Sequence, residues 1–212
     1  MKFGPKYKIC KRLGPDVFEK CQTPRFALVA SRTPKTRRGG KRGGRPSRTD
    51  YGKHMLEKQR VRFTYGLSER QFARYVKESA RSTGVKPAEA LYRRIESRLD
   101  NVVYRLSLAR TRAQARQLVS HGHITINDRK MTTPSYAVRV GERVGVRQSK
   151  RDRGVFASRS ELLKEGADTT IPPVWLSFDS GKMEGVVSAW PAAENAGAQS
   201  LDLQAVIEFY SR

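Results

Sequence analysis

Apolar positions in the middle of the chain recur three and four residues apart, whereas near its end they alternate or run in short blocks. The first spacing predicts helices and the second strands. Thr49 or Asp50 can cap a helix running through Met55, Leu56 and the basic run Lys58, Arg60 and Arg62 toward Gly66. Ser68-Glu69-Arg70-Gln71 reads as a capping box, the Ser oxygen accepting from the Gln backbone amide while the Gln side chain reaches back. Phe72, Tyr75, Val76 and Ala80 then share one face of a helix that ends by Gly84. Pro87 suits the first turn of the next helix, on which Leu91, Ile95 and Leu99 lie four apart. Thr111-Arg112-Ala113-Gln114 is a second capping box. It opens a helix ending at His121-Gly122, with Ala115, Leu118 and Val119 facing inward.

Gly122 releases the chain into the alternating segment His123-Ile124-Thr125-Ile126, and Asn127-Asp128 is a tight-turn signal. A return segment passes Tyr136, Val138 and Val140 and leads into Arg143-Val144-Gly145-Val146. Further on, Trp175 to Phe178 and Gly185 to Trp190 can pair across a turn at Asp179-Ser180-Gly181, with both tryptophans in the sheet core. Val206 to Tyr210 reads as a final short strand or docking tail. Helices early and strands late predict an α+β architecture. It consists of a basic, largely extended N-terminal segment, a small helical domain and an antiparallel sheet domain carrying a helix-helix-hairpin module. The boundaries fall at 1–48, 49–97 and 98–194, with the module core at about 98–148 and the tail 195–212 packing back on the helical domain.

Charge changes this from a fold description into a functional one. The 212 residues carry 43 Lys and Arg against 20 Asp and Glu, a net of +23. Residues 1–62 hold 19 basic and 4 acidic side chains, and residues 98–148 hold 10 and 3, while residues 149–212 are slightly acidic. Basic charge gathered into segments is the footprint of a nucleic-acid binder. The densest segment, Ser31 to Arg48, has eight basic residues, four Gly and two Pro, with no acidic or apolar side chain. Its composition predicts disorder in isolation and an arm that docks along phosphates, through Arg37, Arg38, Lys41 and Arg42 among others. In the helix opened by Thr111, Arg112 and Arg116 stand one turn apart, so an N-terminus with amide donors also presents two guanidinium forks.

Catalytic constellations are missing. His121 and His123 straddle a helix end and do not face a common site, and GGKRGG lacks the spacing of a phosphate loop. No apolar run is long enough to cross a membrane, and the sequence calls for no cofactor.

Arg98-Leu99-Asp100-Asn101-Val102-Val103-Tyr104-Arg105-Leu106, continuing through ARTRAQARQLVSHGHITIN, closely resembles the RNA-binding domain named after the fourth protein of the small ribosomal subunit. Three further blocks resemble the bacterial ribosomal family itself: Asp50 to Phe72, Trp175 to Val187 and the terminal VIEFYSR. The resemblance implies a non-enzymatic cytoplasmic protein of the ribosome that binds 16S ribosomal RNA early, at a helix junction in the 5′ domain. It also implies a part in assembly and translational accuracy. Its other implied neighbours are the fifth small-subunit protein, other small-subunit proteins and messenger RNA where it enters the subunit. By position it assigns RNA contact to Arg110, Thr111, Arg112, Gln114, Arg116, Gln117 and His121, and to Tyr51, Lys58, Arg60 and Arg62 in the helical domain. The resemblance also points to Arg45 and Arg48 as candidates near the messenger entrance.

The chain departs from this family twice. Many relatives bind zinc through four N-terminal cysteines. Here Tyr7 stands at the first position and only Cys10 and Cys21 remain, which reads as a degenerate site without metal even if His54 were added. Asn127-Asp128 replaces the usual Asn-Gly, predicting an intact but slightly strained hairpin. Two rivals share the module. Pseudouridine synthases carry a catalytic Asp in an Arg-Leu-Asp context like Arg98-Leu99-Asp100, but only 64 residues follow Gln148, too few for their catalytic sheet. Asp100 therefore reads as a helix-end carboxylate paired with a neighbouring Arg. A stress-response RNA-binding module accounts for the charge but not for the Asp50 block or the tail.

Overall fold

A computed structural model describes residues 4–31, 49–151, 156–158, 172–192 and 201–211. The helices are α1 (Lys6–Leu13), α2 (Pro24–Ser31), α3 (Asp50–Thr64), α4 (Glu69–Ala80), α5 (Pro87–Glu96), α6 (Leu99–Arg105), α7 (Arg112–Ser120) and α8 (Leu203–Ser211). The strands are β1 (Ile124–Ile126), β2 (Arg129–Met131), β3 (Arg143–Val146), β4 (Leu176–Asp179) and β5 (Glu184–Val187). The chain divides into two compact units, residues 1–81 with 199–212 and residues 82–198.

The first unit is helical. Thr49 Oγ1 accepts from the Gly52 amide to start α3, and Ser68 Oγ accepts from the Gln71 amide to start α4. The capping box of α4 is not reciprocal, because the Gln71 amide group turns down the helix and donates to Tyr75 Oη (3.0 Å). Phe72, Tyr75 and Val76 are buried along α4; Ser79 rather than Ala80 completes the face. The tail forms α8 rather than a strand. Asp202 Oδ1 accepts from the Ala205 amide to cap it, and Leu203 and Val206, three apart, are buried. Tyr210 Oη donates to Glu69 Oε1 (2.7 Å), and the Phe209 ring lies 5.4 Å from that of Tyr51, so α8 docks against α3 and α4.

Near the N-terminus, Cys10, Leu13, Val17, Phe18, Cys21 and Phe26 form a small core of their own. Cys10 and Cys21 are joined in a disulfide. The sequence, read as a degenerate zinc site without metal, did not point to this bond. Folding α1 and the following turn over one apolar cluster brings the two buried sulfurs together. Sulfurs bonded to each other do not supply thiolate ligands, so the residues present do not fit a structural zinc. His54 is engaged elsewhere, its Nε2 facing Glu208 at 3.6 Å.

The second unit packs helices on a five-stranded antiparallel sheet of order β2-β1-β3-β5-β4. Its core runs from Leu99, Val102 and Val103 on α6 through Ala115, Leu118 and Val119 on α7 to Ile124, Val144, Val146, Trp175 and Val187 of the sheet region. Each large apolar side chain so buried contributes roughly 1.5–3 kcal/mol. Trp175 lies in this core, but Trp190 is 50% exposed on the edge beyond β5, a correction to the sequence reading of it as sheet core. The even Leu91-Ile95-Leu99 spacing does not mark one helix. The backbone breaks after α5, and the Leu99 and Asp100 amides donate instead to Tyr136 and Pro134 carbonyls. That break starts α6 beside α7. The hairpin turn is intact, with Asn127 and Asp128 both left-handed at φ 47° and 66°.

Candidate nucleic-acid interface

α7 begins with its cap fully used. Thr111 Oγ1 accepts from the Gln114 amide (3.1 Å), and Gln114 Oε1 reaches back to the Arg110 amide (2.9 Å). At about 100° per residue the helix splits the sequence-predicted contacts into two flanks. Arg112 and Arg116 lie on one side of the buried Ala115–Leu118–Val119 stripe; Gln114, Gln117 and His121 lie on the other. Arg110, Gln117 and His121 are exposed, whereas Arg112, Gln114 and Arg116 are partly buried. Gly122, at φ 72°, takes the left-handed position that ends the helix and turns the chain into β1. Burial, Lys150 and His121 hold the His123 imidazole below its usual pKa, so it is the neutral neighbour of exposed His121.

Beneath the first flank lies a layer of polar side chains inside the core. Glu96 is fully buried, Arg98 is 1% exposed and Asp100 is 5% exposed. Arg98 grips Asp100 with two bonds, Nε to Oδ1 (3.0 Å) and Nη2 to Oδ2 (2.6 Å). Arg116 Nε adds a contact to Asp100 Oδ2 at 3.2 Å. Arg105 grips Glu96 in the same bidentate manner, at 3.0 and 2.7 Å. Asn101 Nδ2 donates to Glu96 Oε2 (2.7 Å), and its Oδ1 accepts from Arg112 Nε (3.0 Å). The guanidinium carbon of Arg112 lies 4.3 Å from the centre of the Tyr104 ring. Burial and then the Glu96 carboxylate push the Tyr92 phenol well above its usual range, keeping it neutral. Arg98 and Arg116 thus meet on Asp100 and Arg105 holds Glu96, while Arg112 reaches Glu96 only through Asn101, so four arginines stand over two carboxylates.

Asp100 is therefore not a nucleophile. Both its oxygens are committed to arginines inside the core, the pairing that the sequence favoured.

The sequence-predicted contacts of α3 form a separate group. Tyr51 is exposed. Lys58 Nζ donates to Glu69 Oε1 (2.8 Å) and lies over the Phe209 ring, and Arg62 Nη1 donates to Glu69 Oε2 (2.6 Å). Arg60 lies near Asp16 and Glu57, at 3.6 and 3.5 Å. Burial by itself raises the Glu69 pKa, but hydrogen bonds from Lys58, Tyr210 and Arg62 prevail and hold it at about 2. These cations are oriented by carboxylates rather than trailing in solvent. Arg37, Arg38, Lys41, Arg42, Arg45 and Arg48 lie outside the described residues. The acceptors Glu96 and Asn101 escaped the sequence reading. Their signal was three polar residues, Glu96, Asp100 and Asn101, set among apolar positions that all prove buried.

Residues 2–96 match the family described as the ribosomal protein S4/S9 N-terminal domain, and residues 97–144 match the S4 domain. The chain is 44% identical to the small ribosomal subunit protein uS4 of Herpetosiphon aurantiacus over 210 residues, covering 99% of this chain and 98% of that protein. It is 43% identical to the uS4 protein of Roseiflexus sp. (strain RS-1), with the same coverage. Identity to the uS4 protein of Thermus thermophilus is 41% over 212 residues, again 99% and 98% of the two chains.

Proposed function

We propose that this chain, which belongs to the ribosomal protein S4 family and is a structural, non-enzymatic protein of the small ribosomal subunit in the cytoplasm, binds 16S ribosomal RNA directly at a multi-helix junction of the 5′ domain. The observation that carries this reading is α7 standing on its charge layer, where arginines outnumber the carboxylates that hold them. A-form RNA hides its base edges in a deep major groove, so a protein reading it works from phosphate spacing and shape. Arg110, Arg112 and Arg116, with Thr111, Gln114, Gln117 and His121 alongside, supply a rigid set of donors for that spacing. Tyr51, Lys58, Arg60 and Arg62 form the second set, and Arg37, Arg38, Lys41 and Arg42 extend it as an arm along phosphates.

On this reading the protein joins early and nucleates assembly of the subunit body. Arg45 and Arg48 lie where messenger enters, and the fifth small-subunit protein is a neighbour whose contact bears on accuracy. The match of residues 2–96 to the ribosomal N-terminal family favours this reading over a lone stress-response module, which has no such segment.

The test is filter binding across a salt series with a transcript of the 16S 5′ domain and an unrelated structured RNA of equal length. Both are expected to show a steep salt slope, with the 5′ domain bound at least a hundredfold more tightly. Equal affinity for the two RNAs would reduce the protein to a generic polycation and overturn the junction reading.

A further inference from the structure

The buried layer beneath α7 does more than hold the core together. Its geometry leaves little freedom in how it presents the helix. Asn101 Nδ2 donates to the Glu96 carboxylate and also to the Glu96 carbonyl, at 2.7 and 3.2 Å. A carboxylate only accepts, so the amide has one orientation, with Oδ1 directed at Arg112 Nε. Arg105 fixes Glu96 from its other side. In parallel, Arg98 fixes Asp100, and Asp100 contacts Arg116 at Nε. In both cases the α7 arginine is held by the nitrogen nearest its aliphatic stem. The guanidinium is planar and rigid, so holding Nε fixes the direction of the whole fork.

We infer that Asn101 and Asp100 are positioning residues for RNA binding: through Nε hydrogen bonds they fix the guanidinium planes of Arg112, whose Nη2 is buried, and of Arg116, so that the remaining outer nitrogens meet phosphate. This rests on the reading of α7 as an RNA-binding face. A flexible Arg loses rotamer freedom when it binds; one already held by its Nε loses less. The layer therefore raises affinity without touching RNA. Asp100 and Asn101 lie on α6, a helix that the RNA need never reach.

The experiment is a double-mutant cycle in the full chain, read by filter binding to the 16S 5′-domain transcript across a salt series. The proteins are wild type, Asn101→Ala, Arg112→Ala and the double variant. Arg112→Ala is expected to weaken binding on the order of tenfold and to make the log–log salt slope shallower by about one. Asn101→Ala is expected to do most of the same, and the double variant to match Arg112→Ala within about twofold. A residue acting only on stability leaves the salt slope of the folded protein unchanged. If Asn101→Ala keeps wild-type affinity, or multiplies the loss in the double variant, Asn101 does not act through Arg112 and the inference is wrong. If Arg112→Ala itself binds as wild type, the α7 reading falls first, and the inference with it.

Arg112→Lys and Arg116→Lys ask the same question with Glu96, Arg98, Asp100, Asn101 and Arg105 left in place, should Asn101→Ala fail to fold. Lysine keeps the charge but has no Nε edge to be held. Each is expected to bind about fivefold to tenfold more weakly. Wild-type affinity in both would show that charge alone suffices and that positioning contributes nothing.

Discussion

Glu69 is the point where Lys58, Arg62 and Tyr210 converge, and it ties part of the helical unit's stability to acid pH. Its carboxyl titrates at about 2 in the folded chain against 4.5 for an ordinary Glu. A depressed folded pKa means that the stabilisation is fully present above about pH 4.5 and drains away as pH falls toward 2. The side chain is 44% exposed, so solvent screening leaves roughly 1 kcal/mol of the effect. Urea unfolding at pH 7 and pH 3 should therefore show a loss that Glu69→Gln makes smaller by about 1 kcal/mol. An unchanged pH difference in the variant would remove Glu69 as its source. The other informative residue is Asp128, left-handed at φ 66° in the hairpin turn. Asp128→Gly relieves that conformation at the expense of an exposed contact to Arg143. It should stabilise the chain by about 0.5 kcal/mol, seen as a higher urea midpoint with an unchanged slope. A lower midpoint would mean that the Arg143 pair outweighs the strain.

Elements were legible where their boundary chemistry was local. Thr49, Ser68 and Thr111 each cap the helix their spacing announced, because a side-chain oxygen and an amide three residues on suffice. Legibility failed where tertiary contacts decide. Leu99 continues a helical spacing, yet its amide is taken by Tyr136 and the helix restarts. Val206-Ile207 with Phe209-Tyr210 carries strand propensity, yet docking against α3 and α4 makes the segment helical. Trp190 looked like core, and no spacing rule tells that the sheet ends before it. The α7 contacts could be read from the sequence one by one, but not the layer that holds them, since Glu96 and Asn101 meet only through the break between α5 and α6. The tail makes a quantitative case. Val206 is fully buried on α8, so Val206→Ala should cost about 2 kcal/mol in urea unfolding, while Gln204→Ala on the exposed side should cost almost nothing. Equal, small effects would mean that α8 is not packed in solution.

At the scale of the whole molecule, charge with carboxylate or amide partners and charge without nearby carboxylates in sequence fall in different stretches of the chain. Lys58 and Arg62 of α3 and Arg116 of α7 are tied to carboxylates and Arg112 to the Asn101 amide oxygen, so these cations carry direction as well as charge. Residues 31–48 hold eight basic side chains and no carboxylate with which to pair them locally, over a third of the net +23. A fixed donor set discriminates between RNA shapes, whereas an unpaired run of charge attracts any phosphate backbone and releases counterions from each one it meets. Deleting residues 31–48 should therefore change two observables unequally. The log–log salt slope should become shallower by several units, on the order of one for each phosphate that the arm no longer neutralises. The ratio of affinities for the 16S 5′ domain and an unrelated RNA should stay within a few-fold of wild type, because both RNAs lose the same nonspecific attraction. If the ratio collapses while the slope barely moves, the arm itself reads the junction, and the division of labour between arm and folded units is the reverse of the one that charge pairing implies.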